Sequence, residues 1–214
     1  MSKIKANITG LREENAIGKI IQRYAIEEQE ISNVLFKNCE EVELQEEKIE
    51  FKSCKFENCK CTNSNFQNSY FTDIIFENCD FSNTDFSDSS FIRVEFKNCK
   101  LVGCNFPSAF LSYVVYQNCN LNYTNFANST LKQIDFEQNH MIASNFSELN
   151  LKDVKWEECD LTQSQIFKTR LNKIDFSTCN IEGIIVGISE IKGAIVNQMQ
   201  AIELSKLLGI HIKE

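Results

Sequence analysis

Proline occurs once in the 214 residues, glycine seven times, histidine twice and tryptophan once. That poverty excludes a chain built on ordinary reverse turns, which draw heavily on proline and glycine. It also leaves little material for an active site. No apolar run nears the roughly 18 residues that cross a bilayer, so no membrane segment is expected. The opening stretch MSKIKANITG has no long apolar core followed by a small-residue cleavage site. It is therefore not read as a secretory signal, and a cytoplasmic protein is expected. The formal net charge is −8, without the basic excess of a nucleic-acid binder, so no direct nucleic-acid binding is expected.

What the chain has instead is 43% hydrophobic residues, seventeen phenylalanines and ten cysteines. The apolar share excludes a disordered chain, and the length suits one domain. Ten cysteines without a secretory signal read as reduced, buried thiols rather than a disulfide framework.

The apolar residues fall on a lattice of five. Stepping from Ile31 through Phe36, Phe51, Phe56 and onward to Val196, 31 of 34 positions are large and apolar, and fifteen of the seventeen phenylalanines lie there. The exceptions are Glu41, Glu46 and Cys61. Two residues before each lattice position stands a small or branched one, from Val34 to Ala194. None of these is charged, and nine of the ten cysteines are among them. A slower period of 20 lies on top. Aromatic-x-Asn-Cys recurs at Phe56–Cys59, Phe76–Cys79, Phe96–Cys99 and Tyr116–Cys119.

A period of five fits neither the helix nor the strand. It fits a square coil, one pentapeptide per side and four per turn, whose coils pair at about 4.8 Å. Large side chains then stack in the centre and small ones fill the corners. Asn58, Asn78, Asn98 and Asn118 form a ladder along the axis. A charge on either inward position would be buried without a partner, which explains its near absence. Pro107 and Gly103 mark an expected irregularity midway.

This lattice resembles the pentapeptide-repeat family, whose pattern is roughly Ala-(Asp/Asn)-Leu-x-x with Leu or Phe at the centre. The resemblance implies an all-β solenoid, a right-handed quadrilateral β-helix, with a C-terminal α-helical dimerisation cap. The domain reading is residues 1–25 as an N-terminal capping segment, 26–196 as the β-helix and 197–214 as a helix plus short strand. Asn197 is the expected N-cap of a helix from about Gln198 to Leu208, stopped by Gly209. Ile210-His211-Ile212 then alternates like a strand. The apolar residues of this segment are too many for one narrow face, so Met199, Ile202, Leu204, Leu207, Leu208, Ile210 and Ile212 are the expected dimer interface. Qnr-like members of the family dimerise through C-terminal helices. At the other end two readings stand. Ile17, Ile20, Ile21 and Tyr24 have helical spacing, yet Ile21, Ile26 and Ile31 also lie on the lattice, and a first coil beginning near Ile21 to Ile26 is favoured.

Residues 40–50, EEVELQEEKIE, carry six glutamates and one lysine and read as an interrupted coil or a protruding acidic loop. A more spread acidic set on and beside the Asn-Cys side consists of Glu57, Glu77, Glu95, Asp135, Glu137, Glu157 and Asp175, with Asp85 and Asp88 on a neighbouring side. Two readings fit it: a solvated surface, or a partner-binding face. Eight coils make a rod of about 40 Å. Duplex DNA of that length carries roughly 24 phosphate charges, well beyond the −8 here. Imitation of a duplex would thus rest on shape and local acidic stripes.

Cys54, Cys59 and Cys61 lack a fourth ligand or a nearby histidine, so no metal site is expected. No P-loop, GxSxG or HExxH occurs, and neither catalytic residues nor a cofactor are expected. Qnr-like and mycobacterial members bind DNA gyrase and topoisomerase IV and confer quinolone resistance. The resemblance therefore implies a topoisomerase partner, the acidic rod occupying the enzyme's basic DNA saddle. The alternative is a scaffold with an unrelated partner.

Overall fold

A coil that turns a corner every five residues needs a backbone reversal at each corner. The computed structural model of the chain describes residues 4–27, 30–210 and 213. From Asn33 to Lys173 every fifth residue, without a gap, has φ between 51 and 68°, in the left-handed region. Asparagine and aspartate tolerate that region and hold many of these positions. Arg93, Tyr113 and Ala143 also sit there, against a preference of about 1–2 kcal/mol each, held by the packing around them.

The elements in chain order are β1 (Arg12–Glu14), α1 (Ile17–Glu27), β2 (Ile31–Ser32), β3 (Val34–Lys37), β4 (Glu40–Val42), β5 (Glu50–Glu57) and β6 (Lys60–Thr62). Then come β7 (Tyr70–Glu77), β8 (Ser90–Lys97), β9 (Phe110–Gln117), β10 (Thr130–Glu137), β11 (Asn150–Glu157), β12 (Gln165–Ile166) and β13 (Ile185–Val186). Two helices close the chain, α2 (Ile188–Ile191) and α3 (Gln198–Ser205). The main sheet runs β1-β3-β5-β7-β8-β9-β10-β11 and is parallel throughout. From Ile31 on, paired residues lie 20 apart, as in Phe56↔Phe76 and Asp80↔Lys100. Four five-residue sides per coil follow, and the fold is the expected four-sided parallel β-helix. The sides are numbered here from Phe51, Phe56, Cys61 and Phe66.

The long strands run along the first side and on into the second. The corner between those sides holds Val34, Ile74, Val94, Val114, Ile134 and Val154, with Cys54 the one member not β-branched, all buried, and β-branched residues favour a continuous strand. The other corners hold mostly serine, threonine or cysteine, with Ala109, Asn139 and Leu149 among the exceptions, and the small polar ones are donors. Thr84 Oγ1 donates to the Cys61 carbonyl one coil back at 2.8 Å, Ser89 Oγ to that of Phe66 at 2.9 Å and Cys59 Sγ to that of Phe36 at 3.3 Å. These corners are tight turns, such as Thr84 N–H to the Phe81 carbonyl at 3.0 Å, with positive φ at the third residue as type II requires. The small residue thus fills a corner and also satisfies a carbonyl, a role its size alone does not reveal.

Asparagine or aspartate just before an inward residue has its own task. Asp80 Oδ1 accepts the Ser82 N–H at 2.9 Å, Asp85 Oδ1 that of Ser87 at 2.8 Å and Asn125 Oδ1 that of Ala127 at 3.1 Å. Pro107 occupies the position of Ser87 and Ala127 and forfeits only this local bond. Its carbonyl still accepts the Asp88 N–H at 3.0 Å, and Gly103, with φ 68°, stays in the left-handed series. The irregularity expected here is therefore absent.

Phe36, Phe56, Phe76, Phe96, Tyr116, Phe136 and Trp156 form one inward column, with ring centroids 4.7 to 5.4 Å apart. Phe66, Phe86, Phe106, Phe126 and Phe146 form a second at 5.0 to 5.8 Å. Each fully buried ring contributes roughly 1.5–3 kcal/mol. All ten cysteines are buried and unbridged, as expected.

The N-terminal end corrects the sequence reading. Residues 17–27 form α1, with Ile17, Ile20 and Ile21 buried against the core, so Ile21 is a helical cap residue and the first coil begins at Ile31. The side chain of Ile26 lies outside the described residues. The cap therefore reaches past residue 25, and β1 adds a strand above β3. Residues 40–50 are neither an interruption nor a loop. β4 pairs with β6, Gln45 with Asn65, Ile49 is buried, and Glu43 and Lys48 keep the positive φ. Glu41 stands on the lattice because α1 begins above it, and one Oε1 accepts the Gly18 N–H at 3.4 Å. A Cβ at residue 18 would lie 3.3 Å from Leu44 Cδ2, so glycine allows this approach.

At the far end α3 has the expected N-cap. The Asn197 side chain accepts the Gln200 N–H at 3.0 Å, and the Gln200 Oε1 accepts the Asn197 N–H at 2.8 Å. Gln200 also plugs the rod: its Nε2 donates at 2.7 Å to the carbonyls of Phe176 and Cys179. His211 and Ile212, part of the expected strand and interface, lie outside the described residues.

Candidate partner-binding faces

The second side carries the asparagine ladder. Asn58 Nδ2 donates to Asn38 Oδ1 at 3.3 Å, Asn78 to Asn58 at 3.2 Å and Asn98 to Asn78 at 3.3 Å. Its acidic residues behave differently along the rod. Glu57 is bonded by Lys37 at 3.1 Å and Lys55 at 3.0 Å, and Lys55 also reaches Glu77 at 2.6 Å. Lys55 first, then Lys37, holds the Glu57 carboxyl below its usual range. Glu95 pairs with Lys97 at 2.7 Å and is 7% exposed, because residues 4–10 lie over it. It does not belong to an open face.

Further along, Glu137 on β10 and Glu157 on β11 are in register, and with Gln138 and Glu158 they line a shallow cleft. Gln138 Nε2 donates to Glu158 Oε2 at 2.7 Å, and Gln117 Nε2 lies 3.5 Å from Glu137 Oε2. Glu158 was missed by the sequence reading because its column reads as the asparagine ladder. The signal was the change from Asn118 to Gln138 and Glu158 at the same 20-residue spacing. Asp135 is half-buried and faces Lys155 in register. Asp175 is exposed and accepts the Ser177 N–H at 2.9 Å; hydrogen bonds from the Ser177 side chain and backbone keep its carboxyl below the usual range. Asp85 and Asp88 sit on the fourth side, Asp85 bonded by Gln67 Nε2 at 2.6 Å, and do not join the acidic group.

The first side is basic towards the C-terminal end. Lys132 and Lys152 are in register on β10 and β11, with Arg170 and Lys173 exposed beyond them. Among the described residues none of these four has an ion pair. The Lys132 ammonium lies 5.9 Å from the centre of the Tyr113 ring.

The end of the rod is apolar. Met199 is 72% and Leu208 60% exposed, and Ile202, Leu207 and Ile210 are exposed beside them, whereas Leu204 packs against the core. Ile185, Ile188 and Ile195, in the last coil, are exposed as well, and the sequence reading did not single them out. Among the described residues no three His, Cys, Asp or Glu side chains gather to hold a metal. Burial pushes the thiols of Cys61, Cys99 and Cys104 up, which keeps them protonated. No described helix is long and apolar enough to cross a membrane.

Family models for pentapeptide repeats match residues 49–88, as eight copies, and residues 89–166, as a repeat region. Among solved structures the chain is similar to a trypsin-treated variant of QnrB1, described as a plasmid-mediated fluoroquinolone resistance protein. Identity is 22%, the match covers 85% of this chain and 90% of that one, and the TM-score is 0.56. HetL of Nostoc sp. strain PCC 7120, described as involved in heterocyst differentiation regulation, is 14% identical over 86% of this chain and 98% of that one, with a TM-score of 0.41. No curated protein matches the sequence.

Proposed function

Because this chain belongs to the pentapeptide-repeat family, its two matches together spanning residues 49–166, we propose that it is a non-enzymatic binding protein of bacterial type II topoisomerases. It docks on DNA gyrase or topoisomerase IV as a rod of duplex-like width, in the cytoplasm, and weakens the quinolone–enzyme–DNA complex. The observation that carries this is the row Glu137–Glu157 with Glu158 beside it. Glu137 and Glu157 stand in register across parallel strands, so two carboxylates lie side by side on this face with a third next to them. The fluoroquinolone-resistance description of QnrB1, a protein of the same fold, supports the choice of partner. Two copies joined through the apolar C-terminal end would present the row twice along a doubled rod. Leu208→Asp should then yield monomers by light scattering.

The test is gyrase supercoiling with ciprofloxacin, with and without the purified protein. Rescue at micromolar protein is expected, and Glu157→Lys should weaken it without altering the circular dichroism spectrum. The absence of both rescue and inhibition would sink the reading. A second reading, an interaction module with another partner, is favoured by the basic first side and by the lysines that bond Glu57 and Glu77.

A further inference from the structure

Residues 4–10 leave β1 and run back along the outside of the rod, across strands they do not pair with in sequence order. The Asn7 N–H donates to Asp73 Oδ1 on β7 at 3.1 Å, and the Ala6 N–H lies 3.3 Å from Glu95 Oε1 on the neighbouring β8. Burial alternates as in an extended segment: Ala6 and Ile8 are half-buried, while Lys5, Asn7 and Thr9 are exposed.

What lies beneath is unusual for this surface. Asp73 and Glu95 are 8% and 7% exposed, although both occupy outward positions. Asp73 takes Arg93 through two bonds of 2.7 Å, and Glu95 takes Lys97 at 2.7 Å. Each carboxylate thus holds one side-chain cation and one backbone amide of the arm. Backbone amides are donors that any extended peptide presents, so the pair of carboxylates reads peptide backbone rather than a particular side chain.

We propose that the β7–β8 surface is a docking site for an extended peptide, filled in cis by residues 4–10. The arm then covers Glu95, the one member of the acidic set lying between Glu77 and Asp135. Release of the arm joins the two halves of the acidic surface. Covalent attachment gives the arm a high effective concentration, so a partner must displace it to use these carboxylates. This rests on the topoisomerase reading only for what the exposed surface would meet.

The experiment uses the full chain and two readouts. Amide exchange followed by NMR should be at least about tenfold slower at Ala6 and Asn7 than in a synthetic peptide of residues 1–10. Glu95→Gln should speed exchange at Ala6, and Asp73→Asn at Asn7, with β9–β11 unchanged. Exchange at the free-peptide rate in the native chain would overturn the docking site whatever the partner. The double variant Ala6→Pro, Asn7→Pro removes both donors and leaves every core residue in place. It should bind gyrase several-fold more tightly than the native chain. Equal affinity with a protected arm would overturn the competition. A protected arm on a chain that never binds gyrase would sink the topoisomerase reading and leave the docking site standing.

Discussion

In the first half of the rod every lysine and arginine from Lys52 to Lys100 has a carboxylate within 3.3 Å. In the second half Lys132, Lys152, Arg170 and Lys173 have none among the described residues. The backbone, the aromatic columns and the corner bonds are common to both halves. The difference lies one coil away. Lys60 stands over Glu40, Arg93 over Asp73 and Lys100 over Asp80, opposite charges at a spacing of 20. Lys132 stands beside Lys152 and Glu137 beside Glu157, like charges at the same spacing. The first half uses charge to support the stack. The second keeps one such pair, Lys168 over Glu148, and otherwise gathers like charges, Glu137 with Glu157 on the second side and Lys132 with Lys152 on the first, which suits recognition better than stability.

The severest way to break the comparison is to break the core both halves use. Phe126→Asp places a charge between Phe106 and Phe146 and should cost several kcal/mol. Far-UV circular dichroism would register the loss. Hydrogen exchange would show whether the ion-paired half outlives the other, and equal protection in both halves would deny the comparison an energetic basis. Next comes the end cap. Gln200→Ala strands the carbonyls of Phe176 and Cys179, a loss of about 1–3 kcal/mol confined to the second half, visible as faster exchange near β12 and β13.

Tyr116→Phe should stabilise the protein by about 1 kcal/mol, because the Tyr116 hydroxyl is buried at the junction of the halves with no partner among the described residues. A lower melting temperature would mean the hydroxyl has found one. The smallest test transplants the charge pattern. Lys132→Glu beside Lys152 should add roughly 0.2–1 kcal/mol, and Lys100→Glu beside Asp80 should remove a similar amount. Urea denaturation reads both, and the same sign for the two would refute the distinction.

The fold was legible because inward positions are chosen by size, and size recurs every five residues. Even the buried thiols followed from Cys39 to Cys119 lying on one column. The caps were less legible because a helix can borrow the same apolar residues: Ile21 satisfies the lattice of five and the helix spacing from Ile17 equally. Residues 40–50 misled for a different reason. A glutamate at position 41 breaks the pattern of a closed coil, but the end coil is closed by α1, whose first turn supplies the amide that a carboxylate needs. The candidate faces were legible only as columns. Which charges are neutralised depends on the length of the lysine chain, as with Lys55 reaching both Glu57 and Glu77. That Glu95 is covered depends on a segment 89 residues away in sequence.

The uniform spacing of 20 makes the molecule a gauge that can be recalibrated. Inserting one whole repeat of 20 between two coils preserves every column and corner and changes only the distance between α1 and α3, by about 4.8 Å. A partner that grips both ends would sense such an insertion as a misfit, while one that grips a single side would tolerate it.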